Sequence, residues 1–342
     1  MRTATTVEFG SGWRETVDFV LEAERLGLDV CWVAEAWGAD APSPLGYLAA
    51  RTDRMLLGSG VIQVSTRSPV AVAMTALTLA QLSEGRFLLG LGSSGPQVIE
   101  GLHGESFAKP LTRMRETIEV IRAACRGEKI DVHGETVDIP RGEGRPMRLA
   151  IESARIPIYV AALSPRMLRL TGAVADGWLG TSFVPEGSAA YFDPLAAGAA
   201  ESGRTLADLD ICQGAEVAFA ADEDELARMV RARKKELAFS LGGMGSASTN
   251  FYNDAYSRQG WAEVAAEVRQ AWQSGARDDA AALVTDEMVL ATTLIGTEDR
   301  VRERLRVWRD AGVTTVRLYP GGESLDERLT TLARALDLVR AL

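Results

Sequence analysis

What most constrains this chain is an alternation that runs from one end to the other: short apolar runs separated by segments with helical periodicity. The run "TTVEF" leads into a helix that sets Val17, Val20 and Leu21 on one face and stops at Gly27, and "DVCWVAE" follows at once. "MLLGSGVIQV" comes next, then a helix opened by Pro69, whose fixed φ suits a first turn that has no use for its missing N–H. "GRFLLGLG" is the fourth run. After it Leu111, Met114, Ile118, Ile121 and Cys125 recur at spacings of three and four, which predicts an amphipathic helix. "IPIYVAA", "DGWLG", "LDICQGAEVAFA" and "TTVRLY" supply four more runs. Strands that are nearly continuously apolar belong to parallel sheets covered on both faces. Eight such βα units are accounted for better by a closed ring than by a doubly wound sheet, so the chain predicts an α/β fold, a (β/α)8 TIM barrel.

Two segments depart from the repeat. "KIDVHGETVDIP" predicts a small hairpin, followed by the loop "RGEGRPMR". The stretch from about residue 240 to 280, opening with "SLGGMGSASTNFYNDAYSRQGW", is too long for a simple connection. It predicts the main insertion, between strands seven and eight, with helices of its own. "SLDE", Ser324 to Glu327, carries the serine and the acid of a capping box. No linker or tandem repeat interrupts the 342 residues, and a single domain spanning 1–342 is expected.

The net charge of −10 argues against a nucleic-acid partner, which needs Lys and Arg to neutralise phosphates, and no basic run suggests a membrane surface. The N-terminal residues "MRTATTVEFG" lack the apolar core of a signal peptide, and a cytoplasmic location is expected. Cys31, Cys125 and Cys212 each lie in an apolar segment and read as buried, reduced thiols. With only His103 and His133, no metal site is expected.

Barrel chemistry sits where strands end. Here the second to sixth strands run into "AEAWG", "IQVSTR", "GSSGPQ", "AALSPR" and "GTSF". These rims hold small residues, hydroxyls and aromatics rather than a row of carboxylates, a nucleophile with its base, or a lysine. So little acid–base equipment points to a bound organic cofactor. In "AALSPR", Ser164 is a good N-cap, Pro165 a good first residue and Arg166 a nearby charge, which suits a phosphate and equally suits an ordinary capped helix. "GSSGPQ" permits close backbone approach, and is also an ordinary turn. Gly58 and Gly60, inside a strand that should be buried, mark either a bulge against a flat ligand or a barrel-closing kink.

Together "GLDVCWVAEAWG", "RTDRMLLGSGVIQVSTRSPVAVAMTALTLAQLSEGRFLLGLGSSGP", "IPIYVAALSPRMLRLTGAVADGWL", "LGGMGSASTNFYN" and "GTEDRVRERLRVWRDAGVTTVRL" resemble the luciferase-like superfamily. Within it they are most similar to the actinobacterial oxidoreductases that use the deazaflavin coenzyme F420. The resemblance implies a barrel with insertions and hydride transfer between the deazaflavin and a small organic substrate. It also implies a bulge with a non-prolyl cis peptide on the third strand, at Gly60 and Val61. Gly92, Ser93 and Ser94 then lie beside the coenzyme's side chain, and Ala161, Ala162, Leu163 and Ser164 form the turn at its phosphate. Gln63, Arg67, Gln97 and Arg166 are expected to complete the binding set, with Arg166 at the phosphate and either Arg67 or the pair Arg145 and Arg148, in the loop just before the fifth strand, at the anionic tail. Glu35, at the pyrimidine end of the ring, and Trp37 are the expected catalytic residues.

One position departs from the family. Alcohol and sugar-phosphate dehydrogenases of this superfamily often carry a histidine after that acidic residue, where this chain has Ala36. Proton transfer then falls to Glu35, a tyrosine or water, or the substrate is an activated C=C or C=N bond. The alternatives are a monooxygenase that uses FMN on the same barrel and a non-catalytic flavin- or deazaflavin-binding protein. A homodimer is expected, with Met244, Phe251 and Tyr252 of the insertion contributing contacts.

Overall fold

The computed structural model describes residues 1–245 and 250–342; residues 246–249, within the "GGMGSASTNFYN" stretch, lie outside the described residues. Eight strands form the frame: β1 (Arg2–Val7), β2 (Val30–Val33), β3 (Leu56–Ser59), β4 (Phe87–Gly92), β5 (Ile158–Ala161), β6 (Gly177–Leu179), β7 (Asp210–Phe219) and β8 (Thr315–Pro320). Each pairs in parallel with the next, and β8 returns to β1 with Thr315 opposite Arg2. The ring is closed. The helices lie outside it, several of them started by residues legible in the sequence. Ser68 and Ser164 cap Pro69–Leu82 and Pro165–Val174, and Ser324 with Glu327 forms the capping box of Leu325–Arg340.

Side chains alternate along each strand with period two. Ala4, Val30, Trp32, Leu88, Tyr159, Leu179 and Cys212 meet in one buried cluster inside the ring. Their outward neighbours Cys31, Val33, Leu57, Leu89, Ile158 and Val160 join the larger core under the helices. The inner cluster depends on glycines. The Trp32 ring stacks edge-on against Tyr159 at a centroid distance of 5.0 Å. A Cβ on Gly58 would sit 2.4 Å from that indole, and one on Gly177 would sit 2.2 Å from the Tyr159 ring. Gly58 therefore makes room for Trp32. All three cysteines are free and buried, and burial pushes the Cys31 and Cys212 thiols up to about 12, which leaves them inert.

The expected hairpin is present as Val132–His133 against Asp138–Ile139. It is pinned by Glu116, whose carboxylate accepts from the N–H groups of Glu135, Thr136 and Val137 at 2.8–2.9 Å. Burial opposes that charge, yet these bonds and the Thr136 hydroxyl hold the carboxyl down to about 2.

The insertion between β7 and β8 builds a second core from Val230, Leu237, Leu241, Tyr256, Val268, Met288 and Ile295, joined by Val184 and Ala218 from the barrel side. It reaches further than the 240–280 span read from the sequence. It includes a strand, Leu294–Gly296, that the periodicity did not disclose and that extends the sheet beside the outer end of β7. The asparagines of "NFYN" hold this region together. Asn250 donates to the carbonyls of Ser240 and Leu241, and Asn253 to those of Leu241 and Ala265, at 2.7–3.0 Å. Among the described residues no helix is long and apolar enough to cross a membrane.

Candidate active site

The C-terminal mouth of the barrel has two unlike halves. On the side of β3, β4 and β5 the inward strand positions nearest the rim are Gly60, Gly92 and Ala161, a low shelf, and the Val61 side chain packs over Gly92 beside them. β3 ends at Ser59, the Gly60–Val61 peptide is cis, and the chain resumes as Ile62–Gln63, paired with the end of β4. The bulge implied by the resemblance is there. Glycines on β4 create its space. A Cβ on Gly90 would meet the Ser59 carbonyl oxygen at 1.9 Å, and one on Gly92 would meet Val61 Cγ2 at 2.5 Å. The Ser59 hydroxyl also locks the two strands, donating to the Gly90 carbonyl and accepting from its N–H, both at 2.9 Å.

Around this shelf stand most of the residues singled out in the sequence. Ser93 and Ser94 open the loop after β4, with Ser94 in the left-handed region at φ 57°, before the short helix Pro96–Ile99. After β5, the turn Ala161–Ser164 is braced from behind. The Ala162 carbonyl accepts from Trp178 Nε1 at 2.9 Å, and the Leu163 carbonyl accepts from Arg258 Nη2 at 2.6 Å. The Ser164 side chain accepts from the Met167 N–H as the helix cap. The N–H groups at such a helix start point outward without carbonyl partners, which leaves a place for an anion.

Glu35, Gln63 and Arg67 come together at the rim. Arg67 holds both oxygens of Glu35, through Nη1 and, at 2.9 Å, through Nη2, and Glu35 Oε2 also accepts from the Ala41 N–H at 2.8 Å. Arg67 is thus committed to a carboxylate of its own chain. Gln63 donates to the Ala36 carbonyl at 3.0 Å, while its buried Oε1 has no partner among the described residues. Three expected members stand apart from this cluster: Trp37 is 70% exposed, and Gln97 and Arg166 are also exposed. Arg166 makes no ion pair with any described residue, nor do Arg145 and Arg148.

The opposite half, formed by β1, β7 and β8, carries none of the site residues expected above, and it is the polar one. Glu216 of β7 stands opposite Tyr319 of β8 in the parallel register, and both fall on inward positions. Gly214, one pleat below, makes room for the Tyr319 ring, which a Cβ there would meet at 2.7 Å. Beneath them Arg317, buried, donates from Nη2 to the Gly180 carbonyl. Glu216 is half-buried, and its Oε2 lies 3.5 Å from Nε of Arg233, on the insertion helix Glu223–Ala238. Burial pushes this carboxyl up from its ordinary range, with Glu236 adding to the effect and Arg233 opposing it. An acid at an inward position toward the C-terminal end of an apolar strand was a signal available in "DICQGAEVAF".

The family described as "Luciferase-like monooxygenase" matches residues 1–315. The "Putative coenzyme F420-dependent oxidoreductase Rv3520c" of Mycobacterium tuberculosis is 39% identical over 316 residues, covering 89% of this chain and 90% of its own. The 5,10-methylenetetrahydromethanopterin reductase of Methanolobus tindarius is 30% identical, with 86% of each chain covered. Among solved structures, the coenzyme F420-dependent tetrahydromethanopterin reductase of Methanopyrus kandleri superposes with a TM-score of 0.81 at 23% identity over 97% of both chains, a likeness of fold.

Proposed function

This chain belongs to the luciferase-like monooxygenase family, and from that premise we propose that it is a coenzyme F420-dependent oxidoreductase that passes a hydride between the deazaflavin and a small organic substrate. The substrate would be a carbonyl or alcohol, or an activated C=C or C=N bond. The observation that carries this reading is the low shelf: Gly60, Gly92 and Ala161 present nothing beyond a methyl group, and Val61 of the bulge packs over Gly92, a small apolar surface suited to a ring system. The unpartnered, buried Oε1 of Gln63 supplies an acceptor of the kind an imide N–H would satisfy.

In this reading the chain's own residues bind and orient. Gly60 and Val61 support the ring, Gly92, Ser93 and Ser94 flank the side chain that follows it, and the Ala161–Ser164 turn takes the phosphate at a helix start. Gln97 and Arg166 stand outside that pocket, where Arg166 adds a cation for the phosphate. Glu35, fixed by Arg67, orients Gln63's neighbourhood at the rim, and Trp37 covers the substrate side. When bound, the deazaflavin supplies a two-electron donor and acceptor at ring carbon 5. Carbon there, in place of the flavin nitrogen, removes the ready reaction with oxygen. We further propose a cytoplasmic homodimer. Met244, Phe251 and Tyr252 are half-buried in their own chain, whereas Met74 and Leu82 on the helix Pro69–Leu82 are 52% and 57% exposed.

The test is a pair of titrations with F420 and FMN, read by coenzyme fluorescence and by thermal stabilisation, since a ligand bound only by the folded state raises its melting temperature. F420 is expected to bind more tightly. The reduced coenzyme is then offered ketones, aldehydes, imines and enones, and its reoxidation is followed by absorbance. Tight FMN binding with none for F420 sinks the assignment, and a monomer mass in light scattering at micromolar protein sinks the dimer.

A further inference from the structure

Position 36, an alanine, leaves the rim without a histidine, and the carboxylate beside it, Glu35, already accepts from Arg67 and Ala41 with both oxygens occupied. A substrate protonated during its reduction needs a donor elsewhere in the mouth. Among the described residues, Glu216 meets the geometric requirements. It stands at the C-terminal end of a barrel strand, on an inward position, opposite the half-exposed Tyr319. It accepts no hydrogen bond from any described residue, and its one cation is shared: Arg233 donates from Nη1 to Glu236 and only approaches Glu216 with Nε, at 3.5 Å. That Nε is buried and without a hydrogen-bond partner. The arrangement is a carboxyl kept within reach of a charge but not tied down by it.

We propose that Glu216 is the proton-transfer residue of this enzyme, serving a substrate that lies between the shelf of Gly60, Gly92 and Ala161 and the β7–β8 side of the mouth. The proposal rests on the oxidoreductase reading above. As a hydride, with its electron pair, reaches a carbonyl or imine carbon from the reduced coenzyme, the π bond opens onto oxygen or nitrogen. The Glu216 O–H then breaks and its proton forms the new O–H or N–H bond, leaving a carboxylate that solvent at the mouth re-protonates. In the reverse direction the carboxylate takes the proton. The groups facing Glu216 set its charge state: Arg233 and Glu236 from the insertion helix, with Tyr256 beyond Arg233, and Tyr319 from β8. Desolvation and Glu236 favour the acid form needed to donate, and Arg233 limits how far that goes, as suits a group that must work in both states.

The experiment uses the full chain and the near-isosteric variant Glu216→Gln. Difference infrared titration is expected to show a protonated carboxyl persisting above the ordinary glutamate range, absent from Glu216→Gln and shifted further up in Arg233→Met. F420 affinity, read by fluorescence, should stay within about twofold of the unsubstituted protein in Glu216→Gln. Turnover of the acceptor should fall about 100-fold, with part recovered in Glu216→Asp and the basic limb of its pH profile displaced. A merely structural role would lower affinity and turnover together and leave that limb in place. A Glu216 that titrates in the ordinary range, or a Glu216→Gln variant with undiminished turnover, overturns the proposal while the functional reading stands. Unsubstituted protein that binds no F420 overturns the functional reading and the proposal with it.

Discussion

The two halves of the barrel mouth are made by opposite means. On the β3–β5 side the inward positions near the rim are Gly60, Gly92 and Ala161, and the surface is backbone, bent at Gly60–Val61, with the Val61 side chain packed over Gly92. On the β7–β8 side the same positions carry Glu216 and Tyr319, with Arg317 below and Arg233 reaching in from the insertion. A surface of backbone and small apolar side chains can hold a rigid ring by shape and can do little else. A surface of titratable groups tolerates variation in shape and decides where a proton goes. The difference teaches that binding and chemistry in this fold are separable, and substitutions on the two sides should fail in different ways.

The largest effect is expected at Gly90, where added bulk meets backbone. A Cβ there would lie 1.9 Å from the Ser59 carbonyl oxygen, and no rotamer relieves a clash with main chain. Gly90→Val should cost about 3 kcal/mol or more and depress the melting temperature by several degrees, measured by calorimetry. If it melts like the unsubstituted protein, the bulge is not a rigid feature of the shelf. Gly92→Val comes next. Its Cβ faces the tip of the Val61 side chain at 2.5 Å, an atom that can move, so stability should change little. The extra methyls would nevertheless stand on the shelf, and F420 affinity should fall roughly 100-fold. A comparable loss of F420 affinity in Glu216→Gln would break the separation of the two halves.

Arg166→Ala probes the rim of the binding half. If the guanidinium bonds phosphate directly, the loss should be about 1.5–3 kcal/mol in coenzyme affinity at low salt. An attraction acting only from beyond about 10 Å, the Debye length in 0.1 M salt, would be weaker and largely screened there. Titration at two salt concentrations separates these, and unchanged affinity in both leaves the phosphate to the backbone amides of the Ala161–Ser164 turn.

The smallest effect concerns stability and pH on the chemical half. Burial raises the Glu216 carboxyl in the folded protein above its unfolded value of about 4.3. The folded state therefore binds the proton more tightly. The stability this contributes is present below the unfolded value and is lost as pH rises through the raised one. Relative to Glu216→Gln, the melting temperature should decline above about pH 4.3, by no more than roughly one or two degrees given the group's partial exposure. An opposite slope would mean that Arg233, rather than burial, dominates at this site.

Much of the frame could be read along the chain because it is local. Apolar runs of the right length, the caps at Ser68, Ser164 and Ser324, and the helix stop at Gly27 are each decided within a few residues. The strand Leu294–Gly296 escaped because three residues carry no periodicity. Gly58 was ambiguous because its reason, the Trp32 indole, sits on the neighbouring strand. The sequence offers Arg67 as a cation for an anionic tail, and the structure pairs it with Glu35, 32 residues away. Glu216 was passed over because its meaning depends on Tyr319 and Arg233, which reach it only through the closure of the barrel and the docking of the insertion.

By itself the sequence determined the order of strands and helices, the apolar faces that bury them, the glycines that permit close approach, and the family to which these patterns belong. These follow from periodicity and backbone sterics, which act between near neighbours. Only the tertiary structure decided which inward residues share a layer of the mouth, which arginine is already paired, and which carboxyl is left without a hydrogen bond. Those properties arise from strand register and desolvation, and both come into being only when residues remote in the chain are brought within a few ångströms of one another.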